Sequence, residues 1–107
     1  MSIYEKRTYS IIVGQMPEVL RLYREIGYPV QEAEGFAGKL AGAFVSDTGA
    51  LHQLVHLWRF DDDADRRAFW KRLYASQAFT AFAAQVRPLM LAQDVQLLNP
   101  APWGPSL

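Results

Sequence analysis

Apolar and polar positions along the chain switch between two periods, and the switches mark the elements. From Ile3 to Val13 the chain is rich in β-branched and aromatic residues (Ile3, Tyr4, Thr8, Tyr9, Ile11, Ile12, Val13), which predicts a first strand closed by Gly14. Met16, Val19, Leu20, Tyr23 and Ile26 then recur at helical spacing, while Glu18, Arg21, Arg24 and Glu25 lie off that stripe. Pro17 falls in the first turn, where its missing N–H costs nothing. Gly27-Tyr28-Pro29 predicts a break, with Pro29 opening a further turn through Glu34 and Gly35 ending it. Lys39 to Val45 predicts a short second strand containing the small residues Ala41, Gly42 and Ala43.

After the loop at Ser46-Asp47-Thr48-Gly49 comes a third strand that is apolar on both faces. His52, Leu54, His56, Trp58 and Phe60 share one parity, and Gln53, Val55, Leu57 and Arg59 share the other. Asp62 with Asp65 has capping-box spacing for a second helix, in which Ala68, Phe69, Leu73 and Tyr74 are expected to face inward. Ser76 caps a continuation carrying Phe79, Phe82, Ala83 and Val86 that ends near Pro88, and Gln93 to Leu98 is a fourth strand. The order is βαββαβ: an α+β, ferredoxin-like fold, with a four-stranded antiparallel sheet and helices on one face. Residues 1–99 form this one domain, and 100–107 form a proline-rich C-terminal tail.

Two helices cover only one face of such a sheet. Val55 and Leu57 are read as the apolar partners of the helices, which puts Leu54, His56, Trp58 and Phe60 on the open face. A face that apolar needs a cover. The expectation is a second copy packed sheet against sheet, a homodimer in the manner of a dimeric α/β-barrel.

Composition narrows the function. The chain has 107 residues, half of them hydrophobic, enough for one small core. Eleven basic and 11 acidic residues give a net charge of zero, so no electrostatic footprint points to nucleic acid. Cysteine is absent, which excludes disulfides, thiol catalysis and thiolate metal sites. The charged start at Glu5-Lys6-Arg7 does not read as a signal peptide, and no run approaches the ~20 apolar residues of a membrane span. A cytoplasmic protein without a cofactor is expected.

The candidate chemistry lies where the first and third strands pair. Glu5, Arg7 and Tyr9 share a face of the first strand, and like parity with His56 and Trp58 would gather acid, guanidinium, imidazole and indole. His56 and Arg7 are the candidate catalytic residues, one as acid or base and one as oxyanion anchor. Glu5, Tyr9, Leu54 and Trp58 are the candidate ligand-binding residues. The competing reading is a self-satisfied buried network with Glu5 paired to Arg7. A closed cavity above ~300 Å³ lined by His56 and Arg7 would favour a ligand, and a filled interior a structural role. A His56 pointing into the helix layer would favour a structural role.

His52 and His56 are not a metal pair, because four residues along a strand span ~13 Å. Asp61-Asp62-Asp63 lacks the glycine and distal glutamate of a calcium loop. Gly42-Ala43-Phe44-Val45 lacks the flanking aromatics of an RNA-binding strand. No metal, nucleic acid or phosphate site is expected.

The block Gly49-Ala50-Leu51-His52-Gln53-Leu54-Val55-His56-Leu57-Trp58-Arg59-Phe60 resembles the signature strand of the NIPSNAP family. Tyr4-Glu5-Lys6-Arg7-Thr8-Tyr9 is similar to that family's opening strand, with Lys6 where an aliphatic residue is usual. Gly38-Lys39-Leu40-Ala41-Gly42-Ala43-Phe44 is similar to its second strand, and Arg66-Arg67 followed by Ser76, Phe79 and Phe82 fits its later helices. His52 departs from the small polar residue usual there. The resemblance implies the dimeric α/β-barrel version of the ferredoxin-like fold. That wider group spans cofactor-free oxygenases, haem proteins, isomerases and dehalogenases, so fold alone does not decide activity. Three readings stand. One is a cofactor-independent enzyme on a small aromatic or carbonyl compound. The second is a non-catalytic binder of a hydrophobic ligand or haem. The third is a purely structural homo-oligomer.

Overall fold

The computed structural model describes residues 2–105. The elements run β1 (Ile3–Ile11), α1 (Met16–Leu22), a π-turn (Tyr23–Gly27), α2 (Tyr28–Ala33), β2 (Leu40–Val45), β3 (Gln53–Phe60), α3 (Asp63–Ala75), α4 (Gln77–Val86) and β4 (Met90–Leu98). The four strands form one antiparallel, open sheet in the order β2-β3-β1-β4, the ferredoxin-like arrangement expected from the sequence. Of the tail, residues 100–105 are irregular or turn, and its last two residues lie outside those described.

Local chemistry sets most boundaries as the sequence indicates. Asp62 accepts a hydrogen bond from the Asp65 N–H at 2.8 Å, and Asp65 accepts one from the Asp61 N–H at 2.9 Å, so the acids at the start of α3 cap it reciprocally. Ser76 ends α3 and caps α4 by accepting from the Phe79 N–H at 3.2 Å. Gly35, at φ +81°, takes the left-handed conformation that stops α2.

The first helix departs from expectation. Gly27-Tyr28-Pro29 does not break it; the helix runs through as a π-turn. The Tyr28 N–H donates to the Tyr23 carbonyl, five residues back. Pro29, which has no N–H, then stands in the first turn of α2, where none is needed. The break reading failed because a widened turn absorbs the proline without ending the helix.

The larger correction concerns the faces of the sheet. The β1–β3 register pairs Glu5 with Trp58, Arg7 with His56 and Tyr9 with Leu54, so the candidate residues do share one face. That face is the one the helices cover. Trp58 packs on Phe69 and Trp70 of α3, His56 on Tyr23, and Leu54 joins a cluster with Val19, Leu22 and Phe82. Val55 and Leu57 lie on the open face, whose β1 positions are Tyr4, Lys6, Thr8 and Ser10. The physical reason lies in the two strands taken together. Lys6, Thr8, Ser10, Gln53 and Arg59 tolerate water, whereas Ile3, Tyr9, Ile11, Leu54, Trp58 and Phe60 need the helix layer. Ala68 and Tyr74 are exposed, and Trp70 takes the inward place beside Phe69 and Leu73.

Gly27 is where α4 meets the first helix most closely. A Cβ there would stand 2.5 Å from Cζ of Phe82, a buried ring held edge-on by Tyr23 and Phe79. Gly27→Ala gains about 1 kcal/mol of helix propensity but forces an overpacked core at about 1–3 kcal/mol. The expected outcome is a net loss of about 1 kcal/mol, seen as a lower urea midpoint at unchanged slope.

Candidate functional site

At the centre of the covered face stands the Glu5 carboxylate, 0% exposed. One oxygen accepts from Arg7 Nε at 2.5 Å; the other accepts from Arg66 Nη1 at 3.0 Å and from Trp70 Nε1 at 3.1 Å. The Arg7 guanidinium lies over the Trp70 ring, 3.7 Å from its centroid, and donates to the Tyr74 hydroxyl at 3.2 Å. Burial is the largest single influence and weakens the Arg7 cation, but the Glu5 hydrogen bond together with the charge interactions with Tyr9, Tyr74 and Glu5 outweighs it, and the pKa of Arg7 ends above its ordinary value. Arg66 also pairs with Asp63 at 2.9 Å, and the other oxygen of Asp63 takes the exposed Arg67 at 2.7 Å, so each charge of the cluster has an opposite partner. Half of the expected cluster is therefore a closed network.

The other half is open. His56, 5% exposed, meets the rings of Tyr9, Tyr23 and Trp58 edge-on at centroid distances of 5.4, 5.1 and 6.2 Å. Among the described residues no hydrogen bond reaches its imidazole. Burial, and then the Arg7 charge, push its pKa down to about 4, so the ring is neutral at physiological pH. Burial raises the pKa values of Tyr9 and Tyr23, whose hydroxyls therefore stay protonated.

The helix layer does not fill the space above these residues. A chamber of about 310 Å³ lies between the first helix and strands β2 and β3, walled by Leu20, Tyr28, Leu40, Val45 and Leu54 among others. A smaller one of about 50 Å³ lies deeper, against Arg7, Tyr9, Trp58 and Trp70. Tyr23, Gln31 and His56 line both. Of the residues expected to bind a ligand, Leu54 walls the large chamber, Tyr9 and Trp58 the small one, and Glu5 neither. Arg7 reaches only the small chamber, and the large one, which His56 reaches, is open to solvent on one side, so a closed cavity of that size lined by both is not found among the described residues. His52 precedes β3 at φ +60°, where its carbonyl accepts from the Ile11 N–H. Among the described residues no cluster of His, Cys, Asp or Glu could hold a metal ion, and no helix is long and apolar enough to cross a membrane.

Sequence reasoning missed Tyr23, Gln31, Arg66 and Trp70. The signal for Gln31 was present: Tyr23, Gly27 and Gln31 follow one another at helical i+4 spacing on the inward stripe. Trp70 sits next to Phe69 at the inward positions of α3, and was passed over for Ala68.

The neutral burial of His56 has a pH consequence. Between its ordinary 6.5 and its folded value of about 4 the unfolded chain binds a proton the folded chain does not. This contribution to stability is thus complete above pH 6.5 and is lost as pH falls towards 4. The loss is on the order of 3 kcal/mol. In denaturant titrations, stability measured relative to a non-titrating His56→Gln variant should fall by that order across the window. A constant difference would mean that the imidazole is hydrated.

The NIPSNAP family profile matches residues 4–105. NipSnap of Drosophila melanogaster is 29% identical over 106 residues, 98% of this chain, although the chain spans only 37% of that relative's length. A solved NIPSNAP family protein from Agrobacterium tumefaciens str. C58 is 33% identical and superposes with a TM-score of 0.90, covering 96% of this chain and 89% of that one. An antibiotic biosynthesis monooxygenase, 17% identical with a TM-score of 0.63 over 94% of this chain and 99% of its own, shares the fold alone. The opening strand and the third-strand block fall inside the matched region, and the sheet order and helix placement agree. This chain belongs to the NIPSNAP family.

Proposed function

We propose that this NIPSNAP domain binds a small aromatic or carbonyl-bearing molecule in the chamber between its sheet and its helices. The observation that carries the reading is His56: a buried, neutral imidazole without a hydrogen bond among the described residues, facing empty volume on two sides. A buried polar ring left unpaired costs about 1–3 kcal/mol, and a ligand that pairs it recovers that cost. The chemistry available without a cofactor is proton transfer. The neutral His56 ring takes a proton from a carbon next to a carbonyl, and the C–H electron pair moves onto the carbonyl oxygen as an enolate. Tyr9 and Tyr23, whose hydroxyls stay protonated, then donate to the resulting enolate oxygen, while Arg7 stays paired with Glu5 at the edge of the small chamber. Leu54, Tyr9 and Trp58 shape the volume, and Glu5 keeps Arg7 in place and charged.

A metabolite collection screened by thermal shift is the direct test. A hit at about 100 times its Kd stabilises the protein by about 2.7 kcal/mol. His56→Gln, which keeps a neutral polar side chain of similar reach, should remain folded and lose that shift. Hits that stabilise both proteins equally would remove His56 from the site.

We also infer a homodimer through the open sheet face. Its support changes with the exchange of faces: Phe44, 57% exposed, with Val55 and Leu57 now make the apolar patch. Leu54→Asp would bury a charge in the core and unfold the chain. Leu57→Asp instead places a carboxylate opposite Lys6 on the same face, tolerable in a monomer and repulsive between two sheets. Light scattering should give twice the 12.1 kDa chain mass for the wild type and the single mass for Leu57→Asp. A wild type that is monomeric at micromolar concentration overturns the dimer.

A further inference from the structure

Gln31 is 3% exposed, lines both chambers and makes no side-chain hydrogen bond among the described residues. Its backbone carbonyl accepts from the Phe36 N–H at 2.7 Å, so the backbone is engaged while the amide side chain is not. A glutamine amide carries two donors and an acceptor, so leaving it buried and unpaired has a cost that leucine at the same place would avoid. His56, across the same space, is in the same condition.

The charge around these groups decides what they can recognise. Arg7 and Arg66 are both already held by Glu5, and Asp63 is shared by Arg66 and the exposed Arg67, so neither half-buried guanidinium is left unpaired. Gln31, His56, Tyr9 and Tyr23 are all neutral, and each can both donate and accept. A carboxylate brought among them would be desolvated without a free cation of its own. A hydroxyl or carbonyl would find donors and acceptors at no such cost. The remaining arginines of the lining, Arg24 and Arg87, are exposed at the outer rims.

We propose that Gln31 is the specificity-determining residue of the pocket, pairing with His56 on an uncharged ligand oxygen, so that the site takes hydroxyl- or carbonyl-bearing molecules in preference to carboxylates. This rests on the ligand-binding reading above and adds the ligand's charge and the residue that reads it. The apolar body of the ligand occupies the large chamber, and its oxygen lies at the partition formed by Tyr23, Gln31 and His56.

The test uses two probes with one bicyclic body, 2-naphthol and 2-naphthoate, titrated near neutral pH and followed by calorimetry. The wild type should bind 2-naphthol about tenfold or more tighter than 2-naphthoate. Gln31→Leu should remove most of that preference, by weakening 2-naphthol about tenfold, while its thermal stability stays equal to the wild type or rises. Gln31→Met serves as a second variant should leucine disturb the fold. A wild type that prefers 2-naphthoate, or a preference unchanged in both variants, overturns the inference. If His56→Gln still abolishes binding in that case, the ligand-binding reading survives alone. If neither probe binds the wild type, both readings fall for ligands of this size.

Discussion

A single buried carboxylate organises this molecule. Glu5 faces away from solvent in the middle strand pair and accepts from a strand arginine, a helix arginine and a helix indole at once. Those bonds tie β1 to α3 across the layer. They also fix the plane of Trp70, on which Arg7 stacks, and so set where the Arg7 charge stands relative to His56. Removing the acid would leave the half-buried Arg7 without its counter-charge and Arg66 with Asp63 alone, a change approaching the ~3–5 kcal/mol of a broken buried pair. The imidazole next to them would lose its neighbour's fixed position. The network is structural in what it touches and chemical in what it orients.

The core around it is divided. One apolar cluster gathers Ile11, Val19, Leu22, Leu54 and Phe82 under the first helix, and another gathers Phe36, Trp58, Phe60, Phe69 and Leu73 under α3. His56 lies at the seam, where the two clusters leave space. A chain selected for stability alone would fill that seam with leucine and phenylalanine. This chain keeps an imidazole, an amide and two phenols there, and leaves the Trp58 indole N–H buried without a partner. On the proposed ligand-binding reading, local stability is given up there to keep polar groups that are not already engaged.

The element order, the caps at Asp62 and Ser76, the stop at Gly35 and the pairing of Arg7 with His56 were all legible in the sequence. Each depends on a local rule or on a period. The side of the sheet was not legible from β3 alone, because that strand is apolar on both faces. Assigning Val55 and Leu57 to the helices as their apolar partners reversed the sheet. Counting Lys6, Thr8 and Ser10 together with Gln53 and Arg59 would have corrected it, since polar residues add across paired strands. The contributions of Trp70 and Arg66 were beyond reach. Nothing in the spacing of a helix says which strand acid it will cross.

The π-turn ties the pocket to the length of the chain. In a regular α-helix two side chains eight residues apart drift by about 80° around the axis. The wider turn over Tyr23–Gly27 takes back much of that drift, bringing Tyr23 and Gln31 to the same wall. The composition of the site is thus encoded partly as one extra residue in a turn. Deleting a residue there would restore an ordinary helix and rotate Gln31 towards solvent with every side chain of the pocket still present. Among relatives of this chain, divergence in ligand can therefore arise through a gap of one position, invisible to any comparison that scores only which amino acids line the chamber.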